Sequence, residues 1–518
     1  MAGEWRPTYN PWLIAASVML ATFMEVLDTS VASVALPHMA GSLSASVDEA
    51  TWVLTGYLIS NAIVLPSTGW LSNYFGRKQY QIVSILAFAA SSALCGAATS
   101  LPMLVTARVL QGAAGGGLQP VSQAVLLESF PREKHGVAMA VYGLGIILAP
   151  LLGPTLGGWI TDNYSWRWVF YINIPISIAA VLMIQAFVED PPYARREKNL
   201  RIDFIGFGLL ALWLGTFQTI LDKGQEADWF AASWVRWFAM ISTVAMVIFV
   251  MHELRSRHPL VDLRVLRDRN LATGCFLIGL IGIVIYGTTA LLPLFLQDLL
   301  DYPAYQSGLA VSPRGIGAII SLVIAARLVG RVDSRVLIAT GIVIRAVSLL
   351  MLGMLNLEIS VWNVVWPNII NGFANGFLFV PLTTLTMGTL RKEYIGKGTG
   401  LYSLTRNMGA SFGISMVTTL LVRGAQRHQD VMVAHLTPYD PPFREMFAKL
   451  DQFFLLHTGL GTAFQRAYAM IGQILGRQAM LWAYVEDFRL LAILTVCCLP
   501  FLLLFRPRAD GKHSPATH

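Results

Sequence analysis

A carboxylate lies inside the first long apolar segment of the chain. Asp28 stands about midway along a run that begins near Trp12, and Glu25 precedes it by nearly one helical turn. A charged side chain at the centre of a membrane costs about 3 kcal/mol on insertion scales and usually has a function. Because protonation removes that cost, we predict that Asp28 binds and releases a proton, with Glu25 as the second candidate. The alternative is a structural ion pair between Asp28 and an arginine.

Arginines also occur inside apolar segments. Arg108 and Gln111 lie in the fourth segment, and Arg406 lies well inside the thirteenth. An arginine keeps its proton, so a buried one must face a carboxylate, carbonyl groups or water. If Arg108 lay near Asp28, protonation would be coupled to helix position, but the sequence leaves open whether they meet. Arg406 is the best cavity candidate among the remaining arginines, which include Arg314, Arg327 and Arg345.

Polar and aromatic residues within the segments suit a broad cavity. Aromatic faces accept varied partners, although any one such residue is as readily explained by packing. The residues predicted to line a substrate cavity are Gln111, Gln119, Tyr142, Asn371, Asn375, Tyr402 and Arg406, and further candidates are Trp52, Tyr57 and Asn61.

The elements that position these residues are membrane helices. Of the 518 residues, 55% are hydrophobic and only 13% charged, a membrane composition. A spanning helix needs about 20 apolar residues. Fourteen such runs begin near Trp12, Thr51, Gln79, Pro102, Gly136, Trp168, Phe204, Trp234, Leu271, Tyr305, Val336, Val361, Gly398 and Asp487.

Lysine and arginine are distributed unevenly between the loops. With the N-terminus inside, the cytoplasmic loops hold most of them, including the cluster at 195–198, and the short outer loops hold Arg167 and Lys223. This bias predicts cytoplasmic termini, and it accounts for the net charge of +7 without a nucleic-acid partner. The four cysteines and nine histidines have no metal-site spacing, so we predict no metal and no cofactor.

The chain contains an internal repeat. A shift of 260 places Gly112–Gly153 on Gly372–Gly413, with Glu133 on Glu393 and Tyr142 on Tyr402, and a similar shift places Leu36-Pro37 on Leu292-Pro293. Repeated halves build the substrate site of many secondary transporters. We therefore predict six-helix bundles at 1–201 and 254–510, with a two-helix linker at 202–253.

One outer loop is long. Between Arg423 and Glu486, apolar residues recur with helical spacing, which predicts a helical hairpin that rises from the membrane surface. Loops of this length usually have a function, although a solvated excursion is the alternative.

Motifs in the first and fourth segments carry a family resemblance. Leu27-Asp28-Thr29-Ser30, followed by Val34-Ala35-Leu36-Pro37, resembles the first-helix motif of the fourteen-helix drug–proton antiporters of the major facilitator superfamily, EmrB/QacA type. Ala107–Gly112 resembles the family's fourth-helix motif. The resemblance covers nearly the whole chain. It implies an all-α polytopic membrane protein with two pseudo-symmetric six-helix bundles and two linker helices.

Two further motifs concern gating. Gly145, Pro150, Gly153, Pro154, Gly157 and Gly158 match the family's antiporter motif, where small residues allow close helix approach and prolines bend the helix. Gly69, Gly76 and Arg77 fit the superfamily's cytoplasmic loop motif, but Asn73-Tyr74 stands where that motif has Asp-Arg. The usual acidic latch is therefore in doubt, and Asp333 in the second half is a candidate replacement.

The resemblance implies a proton-driven exporter of hydrophobic and amphipathic compounds in a bacterial inner membrane. It also implies an EmrA-like periplasmic membrane-fusion adaptor and an outer-membrane channel as partners. No ATP-binding phosphate loop occurs, which agrees with a proton gradient as the energy source. The alternatives are a dedicated exporter of a fatty acid, lipid or siderophore, a membrane enzyme such as an acyltransferase, or a sensor. The enzyme would need a convergent His/Asp or Ser/His set, which we do not find.

Overall fold

The computed structural model describes residues 7–191, 203–256, 259–434, 436–458 and 462–506, so the basic cluster at 195–198 lies outside it. Within these ranges the regular structure is helical, apart from an isolated bridge between Val329 and Val332. The prediction of an all-α chain is confirmed.

The helices of the first half and of the linker are α1 (Pro11–Ser42), α2 (Val47–Ala50), α3 (Trp52–Val64), α4 (Thr68–Phe75), α5 (Arg77–Gly96), α6 (Leu101–Gly115), α7 (Leu118–Ser129), α8 (His135–Asn163), α9 (Trp168–Tyr171), α10 (Asn173–Phe187), α11 (Phe204–Lys223) and α12 (Ser233–Arg255). Those of the second half are α13 (Arg269–Leu294), α14 (Ala304–Val311), α15 (Pro313–Leu328), α16 (Ser334–Leu352), α17 (Val361–Met387), α18 (Ile395–Val433), α19 (Pro441–Thr458) and α20 (Ala463–Val496).

Twelve helical segments in the described part of the chain are long and apolar enough to cross a membrane. Two further predicted positions hold interrupted helices. A 3-10 turn at Leu65–Ser67 joins α3 to α4, and Gly116-Gly117 separates α6 from α7. The chain is therefore a multi-pass membrane protein, and the count of fourteen spans stays a prediction.

The internal repeat has a counterpart in the packing of the helices. In the first half, α1 packs against α8, α3 against α6 and α5 against α6. In the second half, α13 packs against α18, α15 against α17 and α16 against α17. The halves meet where α8 contacts α15 and α17, and where α18 contacts α4 and α7. The repeated Leu-Pro positions place Pro37 inside α1 and Pro293 inside α13. Because proline has no backbone N–H, each helix lacks one backbone hydrogen-bond donor there.

Two glycines related by the repeat hold neighbouring helices close together. A Cβ atom on Gly112 would collide with the backbone carbonyl of Tyr57 in α3. A Cβ atom on Gly372 would collide with the backbone carbonyl of Arg314 in α15. The repeat therefore relates two helix pairs in backbone contact, α3 with α6 in the first half and α15 with α17 in the second.

The last membrane helix begins earlier than predicted. The sequence places its start near Asp487, where the apolar run begins, but α20 starts at Ala463. Charged residues make the first part of α20 less apolar, but the helix itself continues through them. The helices predicted in the outer loop are present as the end of α18, α19 and the start of α20, and α19 packs on α20 through four aromatic rings: Phe443, Phe447, Phe464 and Tyr468.

Candidate functional site

The Asp28 carboxylate is fully enclosed in the first half and accepts hydrogen bonds from two other helices. Arg108 of α6 donates to Oδ2 at 2.6 Å and forms a salt bridge in which both side chains are 0% exposed. Gln111 of α6 donates to Oδ1 at 2.9 Å, and Asn173 of α10 donates to the same oxygen at 2.6 Å. The carboxylate thus ties α1 to α6 and α10. The question that the sequence left open is answered, because Asp28 and Arg108 pair directly.

The Arg108 guanidinium has partners besides the carboxylate. Its Nε donates to the Val53 carbonyl of α3 at 3.1 Å, and its carbon lies 4.3 Å from the centre of the Tyr57 ring. A cation over an aromatic face gains electrostatic attraction, which strengthens when the pair is desolvated. Arg108 therefore stays held by α3 even if Asp28 loses its charge.

Ser92 of α5 completes the network around Asp28. Its hydroxyl accepts from Gln111 and from Asn173, both at 2.9 Å. Sequence reasoning missed Ser92 and Asn173. For Asn173 the signal was available, since an amide within an apolar span needs a buried partner. Gln111, which we predicted to line the substrate cavity, lies in this network.

Glu25 lies apart from that network, on the same helix. It is buried, and one carboxylate oxygen accepts from Asn61 of α3 at 3.1 Å, while the other has no hydrogen-bond partner. Glu25 is hydrogen-bonded to one amide and forms no direct ion pair with an arginine, which distinguishes it from Asp28. The helix α1 therefore carries two buried carboxylates in different surroundings.

A set of polar and aromatic residues on α7, α8, α17 and α18 joins the two halves near Glu25. Arg406 of α18 donates to the Gln119 side chain of α7 at 2.6 Å. The Tyr142 hydroxyl of α8 donates to the Gln119 carbonyl at 3.3 Å, and the Tyr142 ring stacks on Phe379 of α17 at 5.9 Å. Tyr402 of α18 is buried and its hydroxyl lies 3.2 Å from that of Thr383. Four predicted cavity residues therefore lie at the interface: Gln119, Tyr142, Tyr402 and Arg406.

The two remaining cavity candidates lie within the second half. The buried Asn371 accepts from Arg345 of α16 at 3.4 Å, and the half-buried Asn375 accepts from the same guanidinium. The structure does not bring this cluster into contact with Asp28 or Glu25.

The glycines of the antiporter motif lie along α8 where it packs on α1. A Cβ atom on Gly145 would collide with Met19, one on Gly153 with Ser30, and one on Gly157 would approach Val31 to 2.9 Å. Gly158 has open space around it. Pro150 and Pro154 lie within the single helix α8. Close packing thus accounts for three glycines, and the hinge stays a prediction.

The cytoplasmic loop motif uses acidic residues that the sequence did not single out. Arg77 forms a buried ion pair with Glu128 of α7. Gly76 has φ +83°, and the Asp190 carboxylate beside it accepts from the Lys78 backbone N–H at 2.9 Å. Burial raises the pKa of the Asp190 carboxyl from its usual value, although that hydrogen bond opposes the shift. Asp333, the candidate replacement for the missing acid, instead caps α16 by accepting from the Arg335 backbone.

Gly69 also lies at the contact between the halves. A Cβ atom there would approach the Cα of Lys397 in α18 to 3.2 Å, and Lys397 in turn pairs with Asp262 at 3.0 Å. The ends of the two halves that carry this motif are therefore in contact around Gly69 and Arg77.

Comparison with known proteins agrees with this geometry. The sequence profile of the Major Facilitator Superfamily matches residues 18–414. The chain is 34% identical to the multidrug export protein EmrB of Escherichia coli K12 over 96% of its own length and 95% of that protein. It is 33% identical to the fatty acid resistance protein FarB of Neisseria gonorrhoeae, covering 95% of this chain and 96% of FarB.

The solved structures support the same fold. The proton:xylose symporter XylE superposes with a TM-score of 0.61 at 13% identity, covering 96% of each chain. The predicted major facilitator fold and the resemblance to EmrB are confirmed. The chain belongs to the Major Facilitator Superfamily, among the transporters of the EmrB multidrug export type.

Proposed function

We propose that this protein exports hydrophobic and amphipathic compounds in exchange for protons, by alternating access in a bacterial inner membrane with both termini in the cytoplasm. The observation that carries the proposal is the buried ion pair between Asp28 and Arg108, which joins α1 to α6. A paired carboxylate inside a transporter bundle is a typical site of proton relay. The proton gradient is the only energy source that this proposal requires.

Protonation of Asp28 removes one charge from a site that contains two. The neutral acid no longer attracts the guanidinium, which keeps its contacts with Val53 and Tyr57 of α3. The hold of α1 on α6 then weakens, while α6 stays fixed to α3. Proton binding therefore favours a different position of α1 relative to its neighbours, which is the coupling that an antiporter needs.

Glu25 extends this site towards the interface between the halves. Asn61 binds one of its oxygens, and Arg406 reaches the same region through Gln119. An ionised carboxylate with one hydrogen bond from an amide and no paired arginine is costly in a buried place, so Glu25 is suited to exchange a proton when the halves separate. Because α18 carries Arg406, movement of the second half changes the surroundings of Glu25.

The experiment is transport by the purified chain in proteoliposomes with an imposed pH gradient. An amphipathic fluorescent dye should accumulate when the gradient is present, and dye movement should dissipate the gradient. Dye transport that does not respond to the gradient would contradict the proposal. Liposomes without protein, exposed to the same gradient, are the control for leakage.

The alternative is a dedicated exporter of a fatty acid, lipid or siderophore. The name of the FarB relative supports it, as does the buried Arg345, which has no acidic partner among the residues that the structure describes. Transport of one chemical class alone among cationic, neutral and anionic dyes would favour this alternative over multidrug export.

We also propose that an EmrA-like membrane-fusion adaptor docks on α19 (Pro441–Thr458) and the segments that flank it, here called the α19 hairpin. The adaptor would pass substrate to an outer-membrane channel. The hairpin exposes apolar side chains: Tyr439 is 90% exposed and Leu456 is 78% exposed. A water-exposed apolar surface of this kind is typical of an interaction site.

Replacing Tyr439 and Leu456 together with serine should reduce co-purification of the adaptor by at least about tenfold, since burial of even one such side chain contributes about 1.5–3 kcal/mol and about 1.4 kcal/mol is tenfold. Lys449, which pairs with Glu445 on the same helix, offers the matched control Lys449→Ser. The measurement is the adaptor recovered with tagged transporter from membranes. Equal recovery with the double variant and the control would remove the α19 hairpin as the docking surface.

A further inference from the structure

Two neighbouring arginines lie on α15 and α16 in the second half. Arg345 of α16 is 1% exposed, and Arg314 of α15 is half-buried. The two guanidinium groups are close enough to repel each other, and neither has an acidic partner among the residues described. A positive charge in a buried place requires a counter-charge, and the chain does not provide one here.

Donors without acceptors lie at the same place. Arg345 donates to Asn371 and Asn375, but its Nε atom has no hydrogen-bond partner. The Nδ2 atom of Asn371 is also buried and without a partner. Two adjacent side chains therefore offer unused N–H groups. The group that satisfies them must be an acceptor, and since the local charge is positive, an anion fits best.

The repeat explains why this place lacks an acid. The shift that places Gly112 on Gly372 also places Gln111, a donor to Asp28, on Asn371. The shift that places Leu36-Pro37 on Leu292-Pro293 places Asp28 on Val284, a buried apolar residue. The second half thus keeps an amide at the position of Gln111 but has an apolar residue at the position of Asp28 and Asn368 at the position of Arg108. Its guanidinium comes instead from Arg345 on the neighbouring helix α16.

The site can be reached from outside the packed core. Arg314 donates to Thr289 of α13 at 2.7 Å, and Thr289 is exposed. Tyr286 interacts electrostatically with both Arg314 and Arg406, so the site continues towards the interface between the halves. Asn375, which accepts from Arg345, is half-buried, so this cluster reaches the edge of the packed core.

We propose that Arg345, Asn371, Asn375 and Arg314 form a binding subsite for the acidic group of an amphipathic monoanion, such as a carboxylate with an apolar tail. The proposal rests on the export function proposed above and adds a substrate class and its place. The carboxylate accepts from the free donors of Arg345 and Asn371, while Arg314 supplies the second positive charge. The apolar tail extends towards the aromatic residues at the interface, among them Tyr142 and Phe379.

The test compares three ligands that share one chain and differ in charge: decanoate, decylammonium and decanol. Binding is measured by calorimetry on the full chain in nanodiscs of zwitterionic lipid. Arg345→Gln should weaken decanoate binding at least about tenfold, equal to about 1.4 kcal/mol, and leave the other two within about twofold. Arg327→Gln, which removes an exposed arginine of α15, is the matched control and should change none of them.

Several outcomes would overturn the subsite. Equal weakening of all three ligands would assign Arg345 a structural role, and unchanged decanoate binding would place the anion elsewhere. Displacement of decanoate by phosphatidylglycerol added to the nanodiscs would identify the site as one for a lipid headgroup. If Arg345→Gln does not fold, the half-buried Arg314→Gln carries the same comparison. Gradient-driven transport of a cationic dye, measured on the same variants, tests the export function separately and should persist.

Discussion

Replacing Asp28 with asparagine will abolish gradient-driven export while leaving the protein folded. The variant leaves the buried Arg108 without its counter-charge, which costs stability. The loss should not unfold the chain, because an asparagine oxygen can still accept from Asn173 and Gln111 and Arg108 keeps its contacts with α3. The variant can no longer take up a proton at this position, and Arg108 no longer has a carboxylate to pair with. A coupling free energy of about 1–3 kcal/mol corresponds to about 5- to 150-fold, so gradient-driven dye accumulation should fall by this factor, to near the level of empty liposomes.

The matched control for this variant is Asp487→Asn. Asp487 is also a buried aspartate within a membrane helix, but it lies in α20 and contacts none of the residues around Asp28. Gradient-driven accumulation should persist in this variant. If Asp28→Asn and the parent accumulated dye equally, the proton site would have to be sought elsewhere, with Glu25 first.

Replacing Arg108 with glutamine will destabilise the protein, and adding Asp28→Asn will restore much of the loss. Removing one partner of a buried ion pair leaves the other charge uncompensated, which costs about 3–5 kcal/mol. Gln111 and Asn173 still donate to Asp28, so the lower end of that range applies. The double variant contains no unpaired charge, and it should recover stability but not gradient-driven transport.

The measurement is the free energy of unfolding of the four proteins in a denaturant titration in detergent. A double-mutant cycle separates the interaction of the pair from the effects of the single changes. Strict additivity would mean that the contact between Asp28 and Arg108 contributes no stability. Recovery of transport in the double variant would mean that neither charge couples protons.

The sequence predicted more of the fold than of the site. Apolar runs and the 260-residue repeat were enough to place the membrane helices, because a spanning helix has a fixed length and composition. The interruptions at Leu65–Ser67 and Gly116-Gly117 were not predicted, since hydropathy continues across them. The early start of α20 was missed for the opposite reason, because charged residues ended the apolar run while the helix continued.

Individual site residues were predictable, but their partners were not. Asp28 and Arg108 stand out as charges in apolar segments, yet they are 80 positions apart and only helix packing brings them together. Gln111 was placed in the cavity because its type suits many roles. Asp190 escaped notice because it lies at the end of a helix, where an acidic residue is unremarkable by composition alone.

The helix α18 contains 39 residues and runs without interruption from Ile395 to Val433. At 1.5 Å per residue it is about 58 Å long, roughly twice the thickness of the hydrocarbon core. A tilt of about 5° about the position of Arg406 would displace the Val433 end of the helix by about 3–4 Å, since about 40 Å of helix separates the two residues. Because α18 is one continuous helix, a tilt near Arg406 also moves its Val433 end. A protein bound at that end would therefore be displaced in each transport cycle.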